Sequence, residues 1–139
     1  MKNLADTLSI SQDIHWYGWQ HSPWKIVEDA DAVVLASQYE GFPLTAIEAQ
    51  ANGIPVISTP VSGITELIQN GVNGYIFPFG DWNALGQVLC EMTEEPSISS
   101  EICKSYDLGN FISNELITIG YEYLYIFKKR VKRNYIIFK

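Results

Sequence analysis

Basic residues are nearly missing from most of this 139-residue chain: between positions 3 and 103, Lys25 is the single Lys or Arg. All sixteen Asp and Glu lie before position 128. An acidic surface repels a phosphodiester backbone and offers no positive groove, which excludes nucleic-acid binding through the main body. Cysteine is scarce as well. Cys90 and Cys103 make neither a disulfide framework nor a four-ligand zinc site, so both are expected as free thiols in a reducing compartment. No apolar run reaches the ~18 residues a membrane span needs, and the opening MKNLADTLSISQD lacks the basic-then-apolar order of a secretory leader. The expected location is cytoplasmic. At about one domain's worth of residues, the chain is not expected to hold a complete two-domain machine built around an interdomain cleft.

What is present is a globular composition, 47% hydrophobic and 18% charged, that supports a packed core. Six of the nine basic residues (Lys128, Lys129, Arg130, Lys132, Arg133 and Lys139) crowd into the last twelve positions. Short apolar runs alternate with helical patterns. Strands are predicted over Ile14 to Tyr17, Ala32 to Ala36, Pro55 to Thr59 and Gly74 to Phe77. Helices are predicted from a Ser22 cap and Pro23 to about Asp29, over 44 to 52, and over 64 to 69. A fourth starts after an Asp81 cap, with Trp82, Leu85, Val88, Leu89 and Met92 on its apolar face. The β-α-β-α order predicts an α/β fold, a Rossmann-like parallel sheet with helices on both faces, over residues 1–95. Residues 96–139 read as a C-terminal helical extension with a basic tail, with helices at roughly 98 to 106 and 110 to 130.

The most informative stretch runs from Ser37 to Gln50. Open α/β sheets bind ligands beyond the carboxyl ends of their strands, and Glu40 stands there, shortly after a buried strand. Gly41 allows a close backbone turn, and Pro43 sets the approach to a helix that begins near Leu44. The first N–H groups of that helix carry the positive end of its dipole, so a diphosphate is a natural occupant. Glu48 lies one turn on, on the face of Leu44 and Thr45, where its two oxygens can accept hydrogen bonds from a ribose diol. The spacing alone also fits a solvated loop residue at Glu40 and a helix-surface residue at Glu48.

From Ala30 to Asp81 the sequence resembles the C-terminal domain of retaining family-4 glycosyltransferases, enzymes of the GT-B fold. Glu40 and Glu48 match the E-x7-E signature. The small-residue helix, the G-x-P-V-I strand, the S-G-x-x-E loop (Ser62, Gly63, Glu66) and the G-x-N-G turn (Gly71, Asn73, Gly74) follow in order. The flanks IHWYGWQHSPW and EGFPLT are similar to lipopolysaccharide core galactosyltransferases that use UDP-galactose. The resemblance implies that Glu40 is the catalytic-site glutamate that contacts the donor hexose and Glu48 the contact to ribose. Gly41, Phe42, Pro43, Leu44 and Thr45 supply the donor-binding segment between them. Where many members have Gly, this chain has Pro43, which removes one backbone N–H. The resemblance further implies a nucleotide-sugar donor, a glycan or lipid-linked acceptor, and no metal or other cofactor. It also implies an acceptor-binding N-terminal domain and a diphosphate-neutralising Arg and Lys preceding this stretch. The chain is therefore expected to be the last third of such an enzyme. The competing expectation is a non-catalytic remnant or nucleotide-binding partner module.

Weaker signals remain. Asp29-Ala30-Asp31 has a D-x-D form but lacks an evident third ligand for a hard metal. His15 reads as half-buried and structural, and Trp16, Trp19 and Trp24 as core. Glu66 either faces the crevice or offsets its helix dipole. The tail YEYLYIFKKRVKRNYIIFK is suited to an anionic membrane surface, which would put the protein at the inner face of the membrane, and to packing against the N-terminal domain through Tyr123, Ile126, Phe127 and Arg130, and the two are compatible.

Overall fold

The computed structural model describes residues 2–28, 30–41, 43–94, 123–127 and 134–138. Its centre is strand β2 (Ala32–Leu35), buried along its whole length. Alternation along the strand sends Val33 and Leu35 to one face and Ala32 and Val34 to the other, so a run without polar residues is what a sheet covered on both sides requires. Strand β3 (Val56–Ser58) lies parallel to β2, with Val33 opposite Val56 and Leu35 opposite Ser58. Strand β4 (Gly74–Ile76) lies parallel to β3 in turn. Helix α2 (Leu44–Ala51) makes the first crossover and the one-turn α3 (Ile64–Leu67) the second. Gly74 is imposed by the pairing itself: a Cβ there would stand 2.1 Å from the carbonyl oxygen of Val56.

Two apolar layers hold the sheet. On one face Ala46 and Ala49 of α2, with Ile64 and Ile68, pack on Val33, Leu35 and Val56. The alanines let the helix axis come close to the strands. On the other face Leu85, Val88, Leu89 and Met92 of α4 (Trp82–Glu94) cover Ala32, Val34, Ile57 and Phe77. The predicted Asp81 cap is present, its Oδ1 accepting the N–H of Ala84 at 2.9 Å. Trp82 departs from the predicted apolar face and is 59% exposed. It is the first residue of the helix, where a side chain is directed toward the turn that precedes it.

The chain opens with helix α1 (Lys2–Thr7) and strand β1 (Ile14–Trp16). Between β1 and β2 the predicted helix is replaced by a 3-10 turn, Pro23–Lys25, and Ser22 makes no side-chain cap. The N–H of Ile26 bonds to Pro23 and that of Ala30 to Val27, so short three-residue turns satisfy the backbone here.

The largest departure is at the C-terminus. Tyr123–Phe127, inside the range predicted as a helix over 110 to 130, is strand β5, and Asn134–Phe138 is strand β6. The remainder of that range, and the helix predicted at 98 to 106, fall outside the described residues. Among the described residues the sheet therefore has six strands rather than four, in the order β1-β6-β5-β2-β3-β4. β5 runs antiparallel to both β2 and β6, and β6 runs parallel to β1. The physical reason lies in β2. Buried on both faces and paired with β3 on one side, it would leave a row of unmet N–H and C=O groups on the other. Tyr-Leu-Tyr-Ile-Phe, aromatic and β-branched, is well suited to fill that place. β1 to β4 all point the same way, so the loops after them open at one edge of the sheet, the edge where such folds bind ligands.

Candidate functional site

Loop 36–43 leaves the carboxyl end of β2 and is tied down from two sides. Within it, the Ser37 hydroxyl donates to Oε1 of Glu40 at 2.5 Å. From the end of β3, the Thr59 hydroxyl donates to the Ser37 carbonyl at 2.6 Å, and the Thr59 N–H to the Leu35 carbonyl at 3.1 Å. The half-buried Glu40 carboxylate is thus referred back to two parallel strands. Pro43 is buried, and the loop after β3 rests on it. Gly63 has φ +77°, and a Cβ at that position would meet Pro43 Cδ at 3.0 Å and Cγ at 3.1 Å. Only a residue without a side chain combines that backbone angle with that approach.

Helix α2 begins at Leu44 with Pro43 as its N-cap and no side-chain cap hydrogen bond. The first intrahelical bond is from the Ile47 N–H to the Pro43 carbonyl at 3.1 Å. The N–H groups of Leu44, Thr45 and Ala46 come before it and carry the positive end of the helix dipole. Leu44 and Thr45 are half-buried and Gly41 is exposed. Glu48 stands in the second turn, half-buried, and the indole Nε1–H of Trp24 donates to its Oε2 at 3.0 Å. Trp24 packs against the core cluster, as predicted, but its polar atom also meets a candidate site residue 24 positions away in sequence.

Sequence reasoning missed three contributors: Ser37, Thr59 and the N–H of Trp24. A Ser directly after a buried strand and a Thr at the end of the next were visible in outline, since small hydroxyl residues at strand ends commonly bond loop backbone. The long-range Trp24 contact left no local trace. Glu66 is exposed in the first turn of α3, consistent with a carboxylate near the start of a helix. Phe42 and Asp29 lie outside the described residues. Among the described residues no group of three or more His, Cys, Asp and Glu side chains is placed to hold a metal ion. His15 is half-buried and stacks on Tyr17, ring centroids 6.2 Å apart, in keeping with a structural role. Trp16 is half-buried with Lys2 over its ring, whereas Trp19 is 59% exposed, contrary to the prediction of core. It lies three residues beyond the end of β1. Lys25 is exposed on its 3-10 turn, and the six basic residues of the tail lie outside the described residues.

Residues 1–107 match the family described as glycosyl transferases group 1. The chain belongs to that family.

This group 1 glycosyl transferase is 47% identical over 79 residues to the lipopolysaccharide 1,6-galactosyltransferase of Escherichia coli (strain K12), a stretch covering 53% of this chain and 22% of that protein. It is 42% identical over 78 residues to the Salmonella typhimurium protein of the same name, covering 52% of this chain and again 22% of the relative. Among solved structures it superimposes on the apo form of the lipopolysaccharide outer core galactosyltransferase WaaB with a TM-score of 0.70. The identity there is 32%, over 74% of this chain and 30% of that one. Sucrose-phosphate synthase from Thermosynechococcus elongatus follows at TM-score 0.66 and 28% identity, over 74% of this chain and 26% of that one. The Rossmann-like arrangement is therefore shared with solved glycosyltransferase structures. The group 1 chain spans between 22% and 30% of the length of these relatives. Every candidate donor-contact residue, from Glu40 to Glu66, falls inside its matched range.

Proposed function

We propose that this group 1 glycosyl transferase chain is the donor-binding part of a hexosyltransferase that carries galactose, with retention, from UDP to a lipopolysaccharide core glycan. The observation that carries the reading is the bracket formed by Glu40 and Glu48 around an uncapped helix start at the carboxyl edge of β2. In this reading the diphosphate lies against the N–H groups of Leu44 to Ala46, where the dipole favours negative charge. The Glu40 carboxylate, anchored by Ser37, accepts hydrogen bonds from hexose hydroxyls. Glu48 accepts them from the ribose 2′- and 3′-hydroxyls. The names borne by the two similar lipopolysaccharide enzymes and by WaaB support galactose and the lipopolysaccharide acceptor. A protein working on such an acceptor would act at the inner face of the membrane, and the basic run from Lys128 to Arg133 would suit an anionic surface.

One observation favours a second reading, a nucleotide-binding part without turnover. Lys25, the single basic residue between positions 3 and 103, is exposed on its own turn, and a departing diphosphate needs cationic neutralisation. Thermal unfolding with and without UDP tests the shared core of both readings. A ligand present at about a hundred times its Kd adds ~2.7 kcal/mol to the folded state. UDP is expected to raise the transition of the parent and to have little effect on Glu48→Ala. A cooperative transition indifferent to UDP overturns the assignment of this loop. Galactose transfer by the chain joined to an N-terminal part of one of its relatives, and its loss in Glu40→Ala, separates the transferase reading from the second one.

A further inference from the structure

We infer that Trp24 is a positioning residue that holds the Glu48 carboxylate in the orientation that recognises a nucleotide ribose. The inference rests on the ribose role given to Glu48 above. Trp24 belongs to the 3-10 turn between β1 and β2, and Glu48 to helix α2, so the two meet only through the fold. The indole Nε1–H lies 3.0 Å from Glu48 Oε2, in a partly buried contact.

Each partner is itself fixed at its base. The Trp24 ring packs on the apolar cluster built from Val33, Leu35, Ala46 and Ala49. The Glu48 backbone carbonyl accepts the N–H of Asn52 at 3.1 Å and its side-chain amide at 2.8 Å, which secures the last turn of α2. At the tip of the glutamate side chain, the indole holds one of the two oxygens. A carboxylate is planar, so holding Oε2 from a rigid ring also sets the direction of Oε1.

The chemistry of the donor matters. An indole N–H only donates, so it stabilises Glu48 as an acceptor and cannot reverse its polarity. A vicinal diol brings hydroxyl donors, and an ionised carboxylate has about four acceptor directions, so indole and diol can be served together. Ordering a flexible side chain at the moment of binding weakens affinity by roughly two- to tenfold, and a side chain already held avoids that loss. Tryptophan achieves this with two side-chain torsions and a ring anchored in the core.

The test compares binding of UDP and of 2′,3′-dideoxy-UDP to the 139-residue chain by calorimetric titration, for the parent, Trp24→Phe, Glu48→Ala and the double variant. Phenylalanine keeps the apolar packing and removes the N–H. The expected result is UDP binding weakened roughly two- to tenfold in Trp24→Phe, with dideoxy-UDP unchanged. In the Glu48→Ala background the same change should have no further effect. Equal weakening of both nucleotides would mean a merely structural tryptophan and overturns the inference, as does no weakening of either. If the parent does not prefer UDP over dideoxy-UDP, or Glu48→Ala keeps that preference, the ribose role itself fails and the inference falls with it. Solvent exchange of the Trp24 indole proton, followed by NMR in the parent and in Glu48→Ala, does not depend on how Trp24→Phe folds. Exchange should speed up in Glu48→Ala, and an indole proton that exchanges equally fast in both contradicts the hydrogen bond.

Discussion

Replacing Gly63 by Ala probes the contact that ties the two crevice loops together, and its cost has two separable parts. The first is backbone strain. Gly63 has φ +77°, where a side chain crowds the neighbouring carbonyl by about 1–2 kcal/mol. The second is steric. The new Cβ would lie 3.0 Å from Pro43 Cδ and 3.1 Å from Cγ, and Pro43 is a buried ring that cannot rotate aside. Relief by a few tenths of an ångström should add about 1 kcal/mol, the low end of overpacking costs. Gly71 supplies the control. It has φ +75° with nothing within 4 Å of its Cβ position, so Gly71→Ala carries the strain without the clash. Urea unfolding is expected to show a loss of about 2–3 kcal/mol for Gly63→Ala and about 1–2 for Gly71→Ala. Adding Pro43→Ala should recover part of the loss at position 63 and none at position 71, because only contacting residues are non-additive. Equal losses at positions 63 and 71, or strict additivity with Pro43→Ala, would refute the claim that the loop after β3 rests on Pro43.

Three further outcomes are expected. Asp81→Ala removes the cap on the Ala84 N–H and should lower stability by about 1 kcal/mol in denaturant unfolding, with Asp81→Asn retaining most of it. Phe77→Ala empties the centre of the layer under α4, where Phe77 is 1% exposed, and should cost about 3–5 kcal/mol; a loss below 1 kcal/mol would show that the layer closes over the gap. Deleting residues 123–139 takes away β6, the one strand that β1 pairs with among the described residues, and bares the edge of β2. Amide exchange at Ile14 to Trp16 should then become fast and the chain should self-associate in size-exclusion chromatography; unchanged protection would contradict the observed strand order.

The elements between Ala32 and Glu94 were legible because each carries its own signal. Ala-Val-Val-Leu is apolar throughout and of strand length, as a strand covered on both faces requires, Asn52-Gly53 ends α2, and Asp81 starts α4. Legibility failed where a segment answers to distant parts of the chain. Tyr123 to Phe127 is apolar enough for either periodicity at five residues, and what decides for a strand is the vacant edge of β2, some ninety residues earlier. Pro23 and the residues after it carry a start signal for a helix, yet Ser22 gives no side-chain cap and the chain takes a 3-10 turn at Pro23–Lys25, with a further turn bond from the Ala30 N–H to the Val27 carbonyl.

The candidate site divides in the same way, and the division has a physical cause. Residues expected to touch a donor lie within one loop and the helix it leads into, because a helix start and the turn before it already converge on a point. Such a site is written in consecutive residues and can be read from them. Part of the rigidity comes from within the loop, where the Ser37 hydroxyl holds Glu40. The other holding groups come from other elements: Thr59 from the end of β3, Gly63 from the start of α3, Trp24 from the turn before β2. It follows that substitutions in the loop should change what is bound, whereas substitutions among the holding groups should change how firmly the loop is kept ready to bind it.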